Sequence, residues 1–133
     1  MGTIRHASCR CGQLTLACAG EPVRVSVCHC LHCRKRSGSA FAAQARFAEG
    51  DVAVSGEARV WETTGESGNV AQFHFCPLCG STVHYRSSGQ PGLIAVAVGA
   101  FADSTFPPPH YSVFEARKHG WVVIAGNGIQ HFD

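Results

Sequence analysis

Cys28-His29-Cys30-Leu31-His32-Cys33 is the stretch on which the reading of this 133-residue chain turns, with Cys9-Arg10-Cys11-Gly12 before it and Cys76-Pro77-Leu78-Cys79-Gly80 after it. Seven of the eight cysteines lie in these three groups. Residues i and i+2 of an extended segment point to the same side, so both sulfurs of a Cys-x-Cys reach one ion. A Cys-x-x-Cys does so through a tight turn, with zinc-to-sulfur distances near ~2.3 Å. Pro77 fixes one backbone dihedral, and Gly80 and Gly12 admit left-handed ones, which closes such turns. Cys9 with Cys11 and Cys76 with Cys79 thus supply two half-sites of a closed, four-cysteine structural zinc centre.

Cys28, Cys30 and Cys33 are then three thiolates for a four-coordinate ion, and an open fourth position marks a catalytic zinc. The alternatives are closure by His29, His32 or Cys18, or a redox trio without metal. The open site is preferred. His29 lies between Cys28 and Cys30, so an extended segment points it away from their ion. His32 sits in a tight turn whose middle residues aim outward. Cys18 shares the apolar face of its strand with Leu14 and Leu16 and reads as a buried, inert thiol.

Composition narrows the setting. The length suits one domain spanning residues 1–133. Hydrophobic residues make up 45% and charged residues 15%, against about 25% charged in ordinary soluble domains, which argues for a packed core rather than disorder. Eleven Lys and Arg against nine Asp and Glu give a formal +2, too little for a nucleic-acid-binding stripe. Seven thiolates and two zinc ions would turn that +2 into about −1. The N-terminal MGTIRHASCRCG has no apolar targeting core, and the run Leu93 to Ala102 is about half a membrane span. The expectation is a cytoplasmic protein without membrane contact, whose thiols stay reduced unless they are metal-bound or catalytic. The number of chains per assembly is not legible.

The pattern is mostly β. Leu14, Leu16 and Cys18 alternate with Thr15 and Ala17, and Val23, Val25 and Val27 repeat the period. Further strands are predicted at Phe41 to Phe47, Asp51 to Ser55, Ala58 to Thr63, Val70 to Phe75, Thr82 to Arg86, Leu93 to Val98 and Trp121 to Ala125. Gly- and Asn-containing turns separate them. One short helix is predicted from about Leu31 to Arg36, and Pro107-Pro108-Pro109 forces an extended stretch. His74 and His84 read as surface or supporting residues rather than ligands. His110 faces either a pocket or solvent, and His6, His119 and His131 carry no local signal.

The three cysteine groups, with Arg34-Lys35-Arg36-Ser37-Gly38 after the second and Phe75 and Ser81 flanking the third, resemble the glutathione-dependent formaldehyde-activating enzyme (GFA, CENP-V/GFA domain) family. The likeness extends to Phe41–Phe47, Gly99-Ala100-Phe101 and the segment from His110 to Trp121. It implies a mainly β, Mss4-like (β-tent) fold of several small antiparallel sheets around two zinc sites. It also implies structural zinc on Cys9, Cys11, Cys76 and Cys79, and catalytic zinc on Cys28, Cys30 and Cys33.

The implied activity is that of a carbon–sulfur lyase resembling S-(hydroxymethyl)glutathione synthase, with a small-molecule thiol such as glutathione and a small electrophile as partners. Arg34, Lys35, Arg36 and Arg46 then either attract an anionic thiol or merely offset the cysteine charges. No general base stands out beyond His32 or a zinc-bound hydroxide. Two other functions are weighed. A non-catalytic, zinc-stabilised Mss4-like interaction module predicts a closed second site. A methionine sulfoxide reductase expects two Cys-x-x-Cys half-sites and a separate nucleophile, which Cys9-x-Cys11 and the trio fit poorly.

Overall fold

Apolar residues at every second position form strands with one dry face, and two such sheets bury those faces against each other. The computed structural model describes residues 2–133. Three strands make the smaller sheet, in the order β1 (Ile4–Ser8), β2 (Thr15–Ala19) and β5 (Val52–Ser55), all antiparallel. The larger sheet has eight strands: β3 (Arg24–Cys28), β4 (Ala42–Ala48), β6 (Arg59–Thr64), β7 (Val70–Phe75), β8 (Thr82–Ser87), β9 (Leu93–Ala97), β10 (Tyr111–Val113) and β11 (Gln130–His131). Their spatial order is β11-β10-β3-β4-β9-β8-β7-β6. One helix, α1 (Leu31–Ser37), follows β3 and ends on Gly38 in the left-handed conformation.

The core lies between the sheets. Ala7, Leu16 and Cys18 of the small sheet meet Val25, Ala45, Phe47, Val83, Ile94 and Val96 of the large one, with Leu14 and Phe101 at the margins. Cys18 is fully buried, the inert position that strand alternation predicts, and burial pushes its thiol up to about 11. Cys9 and Cys76 also belong to this core, so one cysteine cluster is anchored in the same apolar contact that joins the sheets.

The opposite face of the large sheet follows from register. Directly paired residues share a face, so Ser26 and Gln44, Arg46 and Ala95, Ala95 and Tyr85, Tyr85 and Phe73, and Phe73 and Trp61 place six strands' side chains on one surface. Arg36 of α1 lies over the Phe73 and Tyr85 rings of that surface.

Eight of the nine predicted strands are present within a residue or so, and the helix extends one residue further than predicted. Trp121 to Ala125 is not a strand. Val122 N–H bonds back to His119 C=O in a tight turn, and the sheet edge at β10 is occupied by Gln130–His131 instead. Three strands escape the period-2 pattern: β1, β10 and β11. β10 and β11 are two to three residues long and pair in parallel with β3 and with each other, a departure from an all-antiparallel fold. The eight strands of the large sheet form one continuous surface. Pro107-Pro108-Pro109 lies in neither helix nor strand. It delivers His110, whose N–H bonds to Val25 C=O and whose Nδ1 accepts from Val25 N–H, so His110 is a backbone clamp on β3. Among the described residues no helix is long and apolar enough to cross a membrane.

Candidate metal centres

Cys9, Cys11, Cys76 and Cys79 bring four sulfurs within 4.8 Å of one another, although the two pairs are more than sixty residues apart. The loop after β1 and the turn after β7 have the same construction. Gly12 N–H bonds to Cys9 C=O with Gly12 at φ +88°, and Gly80 N–H bonds to Cys76 C=O with Gly80 at φ +80°. The sulfurs of Cys9 and Cys11 are 3.6 Å apart and those of Cys11 and Cys76 3.7 Å. A tetrahedron with zinc-to-sulfur bonds of ~2.3 Å has edges of ~3.8 Å, so this set fits a zinc ion.

The hydrogen bonds suit thiolates. Leu14 N–H points at Cys9 Sγ, Leu78 and Cys79 N–H point at Cys76 Sγ, and the Gln13 side-chain amide donates to Cys76 Sγ at 3.0 Å. Hydrogen bonding from Ser81 draws the Cys79 thiol down to about 5. Donors converging on sulfur support a thiolate ligand set, as the outer shell of a metal site does. Gln13 is a member of this site that spacing does not announce. Its own contacts explain it, because Oε1 accepts from Glu57 N–H and Nε2 also donates to Glu57 C=O.

The second cluster is Cys28, Cys30 and Cys33, again with sulfurs within 4.8 Å. Cys28 ends β3, and Cys30 is the N-cap of α1, its sulfur accepting from Cys33 N–H at 3.3 Å. The neighbouring Cys28 and Cys33 thiols act on each other, which holds Cys33 down to about 5 and pushes Cys28 up. The Arg36 guanidinium also favours the Cys33 thiolate. Three converging sulfurs, one at a helix N-terminus and one beside an arginine, fit a cation.

No His, Asp or Glu joins either group among the described residues. His32 is exposed on α1. His29 is fully buried and turned elsewhere: Nε2 shares a hydrogen bond with Ser112 Oγ at 3.0 Å, and Nδ1 has no partner. Glu115 lies near His131 and Ser112, which together hold its carboxyl below the usual value, and its Oε2 meets His131 Nδ1 at 2.6 Å.

Of the four cations considered near the trio, Arg36 is placed against Cys33, and Arg46 joins it around Tyr85. Arg46 donates to Ser26 Oγ and to Tyr85 Oη, while Arg36 stacks on Tyr85 and Phe73. Arg34 is engaged by Arg117 C=O and His119, and Lys35 is exposed on the same side of α1. Tyr85 is half-buried between the arginines and was not foreseen as part of the site. Burial raises its phenol, and the neighbouring arginines partly oppose the shift.

His84 corrects the expectation of a surface histidine. It is 4% exposed and stacks on His74 across β7 and β8, ring centres 4.4 Å apart. The bulge between His74 and Phe75 shifts the register there, and alternation along the sequence does not reveal it. Among the described residues His84 Nδ1 and His74 Nε2 are buried without partners, and no third metal-ligating side chain joins the pair.

A mainly β chain with one four-cysteine and one three-cysteine cluster belongs to the class of small β proteins with two thiol clusters that could each hold a metal ion. The family model for glutathione-dependent formaldehyde-activating enzymes matches residues 4–117, and the chain belongs to that family, whose fold is Mss4-like. A crystal structure of a Rhodobacter sphaeroides protein, a structural genomics target, is similar in fold, with a TM-score of 0.56 and 20% identity. The match covers 77% of this chain and 91% of that one. A comparison with the curated proteins gives no match.

Proposed function

We propose that this chain is a zinc-dependent enzyme acting at a carbon–sulfur bond, joining a thiol of the glutathione type to a small aldehyde or releasing the adduct. One observation carries the reading: three sulfurs converge at Cys28, Cys30 and Cys33, and no fourth protein ligand joins them among the described residues. In it, Cys9, Cys11, Cys76 and Cys79 hold the scaffold zinc and the trio holds the reactive one. A zinc ion bound by three thiolates offers an open position that activates a thiol or polarises an aldehyde oxygen.

The protein's own groups then have distinct tasks. Arg36 keeps Cys33 anionic and, with Arg46, sets a positive field above a surface where a carboxylate-bearing thiol docks. Both arginines are held in place by the Tyr85 ring, so their orientation is fixed before a substrate arrives. Tyr85 Oη accepts from Arg46, which leaves the phenolic proton free to be donated to a substrate oxygen. We place the activity in a reducing compartment such as the cytoplasm, where seven clustered thiols stay available to metal.

The test is calorimetry and adduct formation with glutathione and formaldehyde, comparing the zinc-loaded protein with Cys30→Ser. Thiol binding and adduct formation above background, both lost in the variant, support the reading. A folded, two-zinc protein that neither binds thiols nor changes the adduct rate overturns it. In that case a stable protein partner and a second zinc inaccessible to chelators would identify an interaction module.

A further inference from the structure

α1 has two working faces. Cys33 and Arg36 look toward the trio, whereas Leu31, Arg34, Lys35 and Gly38 recur at i, i+3, i+4 and i+7 and share another side. That side forms, with His119 and Trp121, a cleft of about 540 Å³, within the range of small-molecule sites. No carboxylate lines it, and two cations do.

The cleft is organised in advance. Trp121 is 74% exposed yet fixed, because its neighbour Val122 is buried and the turn is closed by Val122 N–H to His119 C=O. Lys118 Nζ adds a bond to Val122 C=O. His119 stacks on the indole at 4.8 Å with 20° between the planes. Arg34 holds His119 through Nη2 to Nε2 at 2.7 Å and reaches Arg117 C=O with Nη1. Arginine only donates, so His119 accepts at Nε2 and carries its proton on Nδ1. Trp121 thus keeps an open side beside Arg34 and the uncommitted ammonium of Lys35.

We propose that this cleft binds a planar organic anion, its ring stacked on Trp121 and its carboxylate or equivalent group directed to Lys35. The site is separate from the trio and does not depend on the reaction proposed above. Stacking supplies the apolar contact, and the two cations supply the sign preference.

The zinc-loaded full chain is titrated with 2-naphthoate while the two tryptophan indole N–H signals are followed by NMR, Trp61→Phe providing their assignment. The expected result is saturable movement of the Trp121 signal alone, since Trp61 lies on the trio's side of the sheet. Calorimetry on Lys35→Glu shows a Kd raised about tenfold, the size expected when a partly exposed ion pair becomes a repulsion. Neutral 2-naphthylmethanol binds correspondingly more weakly. Four results would each overturn the proposal: an unmoved Trp121 signal, equal affinity for the neutral analogue, an unchanged Kd in Lys35→Glu, or Trp121 buried by self-association that disappears on dilution.

Discussion

Replacing Gln13 by alanine removes the side-chain bridge between the first cysteine cluster and the turn before β6. Its amide donates to Cys76 Sγ at 3.0 Å and to Glu57 C=O at 2.7 Å, and accepts from Glu57 N–H at 2.9 Å. A bond to a charged sulfur contributes about 1.5–3 kcal/mol, and the two exposed bonds contribute less. A net loss of about 2 kcal/mol follows, which is about 30-fold in zinc affinity and within the usual 10–100-fold effect of an outer-shell residue. For a chain of this length it lowers Tm by about 8 °C. Gln13→Glu separates the two roles, because it retains an acceptor for Glu57 N–H but sets a carboxylate against the sulfur. It must therefore weaken zinc binding more than alanine does. Gly56→Ala reaches the same site indirectly: its φ is +95°, and a Cβ there would overlap the Gln13 carbonyl oxygen. The assay is competition for zinc against a chromogenic chelator, with thermal unfolding in parallel. Equal zinc affinity in wild type and Gln13→Ala, or a Gln13→Glu protein that binds zinc better than the alanine variant, would refute the reasoning.

Four other perturbations have definite signs. His84 is held down to about 4 by burial, by His74 and by Arg86, so the unfolded chain binds the proton more readily. Its contribution is complete above about pH 6.5 and declines toward pH 4 by about 2 kcal/mol after screening; His84→Phe should flatten that slope in urea-unfolding midpoints measured across the range. Cys76→Ser should reduce bound zinc from two per chain to one by elemental analysis and lower Tm, whereas Cys28→Ser should remove the other ion and leave more of the fold intact. Ser112→Ala deprives fully buried His29 and the carboxylate of Glu115 of a shared partner and should lower stability by about 1–3 kcal/mol, read by chemical denaturation.

The strands with long alternating runs were legible because one of their faces is dry. Val25, Ala45, Phe47, Ile94 and Val96 all sit where the period places them. The two cysteine clusters were legible for a different reason: Cys-x-Cys and Cys-x-x-Cys are local geometries, and pairing them required only counting. What the sequence hid depends on contacts between distant segments. Tyr85 meets Arg46 because two strand pairings carry it there, and Gln13 meets Cys76 across sixty-three residues. Tyr111–Val113 is too short for a period to develop and is held by a parallel neighbour, while Trp121–Ala125 has the apolar content of a strand but the place beside β10 is taken by Gln130–His131. His84 looked like a surface residue because a bulge changes the register of its strand.

The basic run after the second cluster also changes meaning once α1 is in place. Arg34, Lys35 and Arg36 are consecutive in sequence, yet 100° of helix rotation per residue sends them to different tasks. Arg36 is placed against Cys33 and Tyr85, Arg34 locks the 117–119 segment, and Lys35 is left unengaged beside Trp121. A single electrostatic role for the run therefore fails on geometry. Charge reversal at Lys35 should leave zinc affinity at the trio unchanged, because neither the sulfurs nor the residues that orient them touch it. Arg36→Ala should lower that affinity, since it removes the one guanidinium that favours the Cys33 thiolate. Equal effects of the two substitutions on zinc release would mean that the run acts through net charge alone and that the two faces of α1 are not separate.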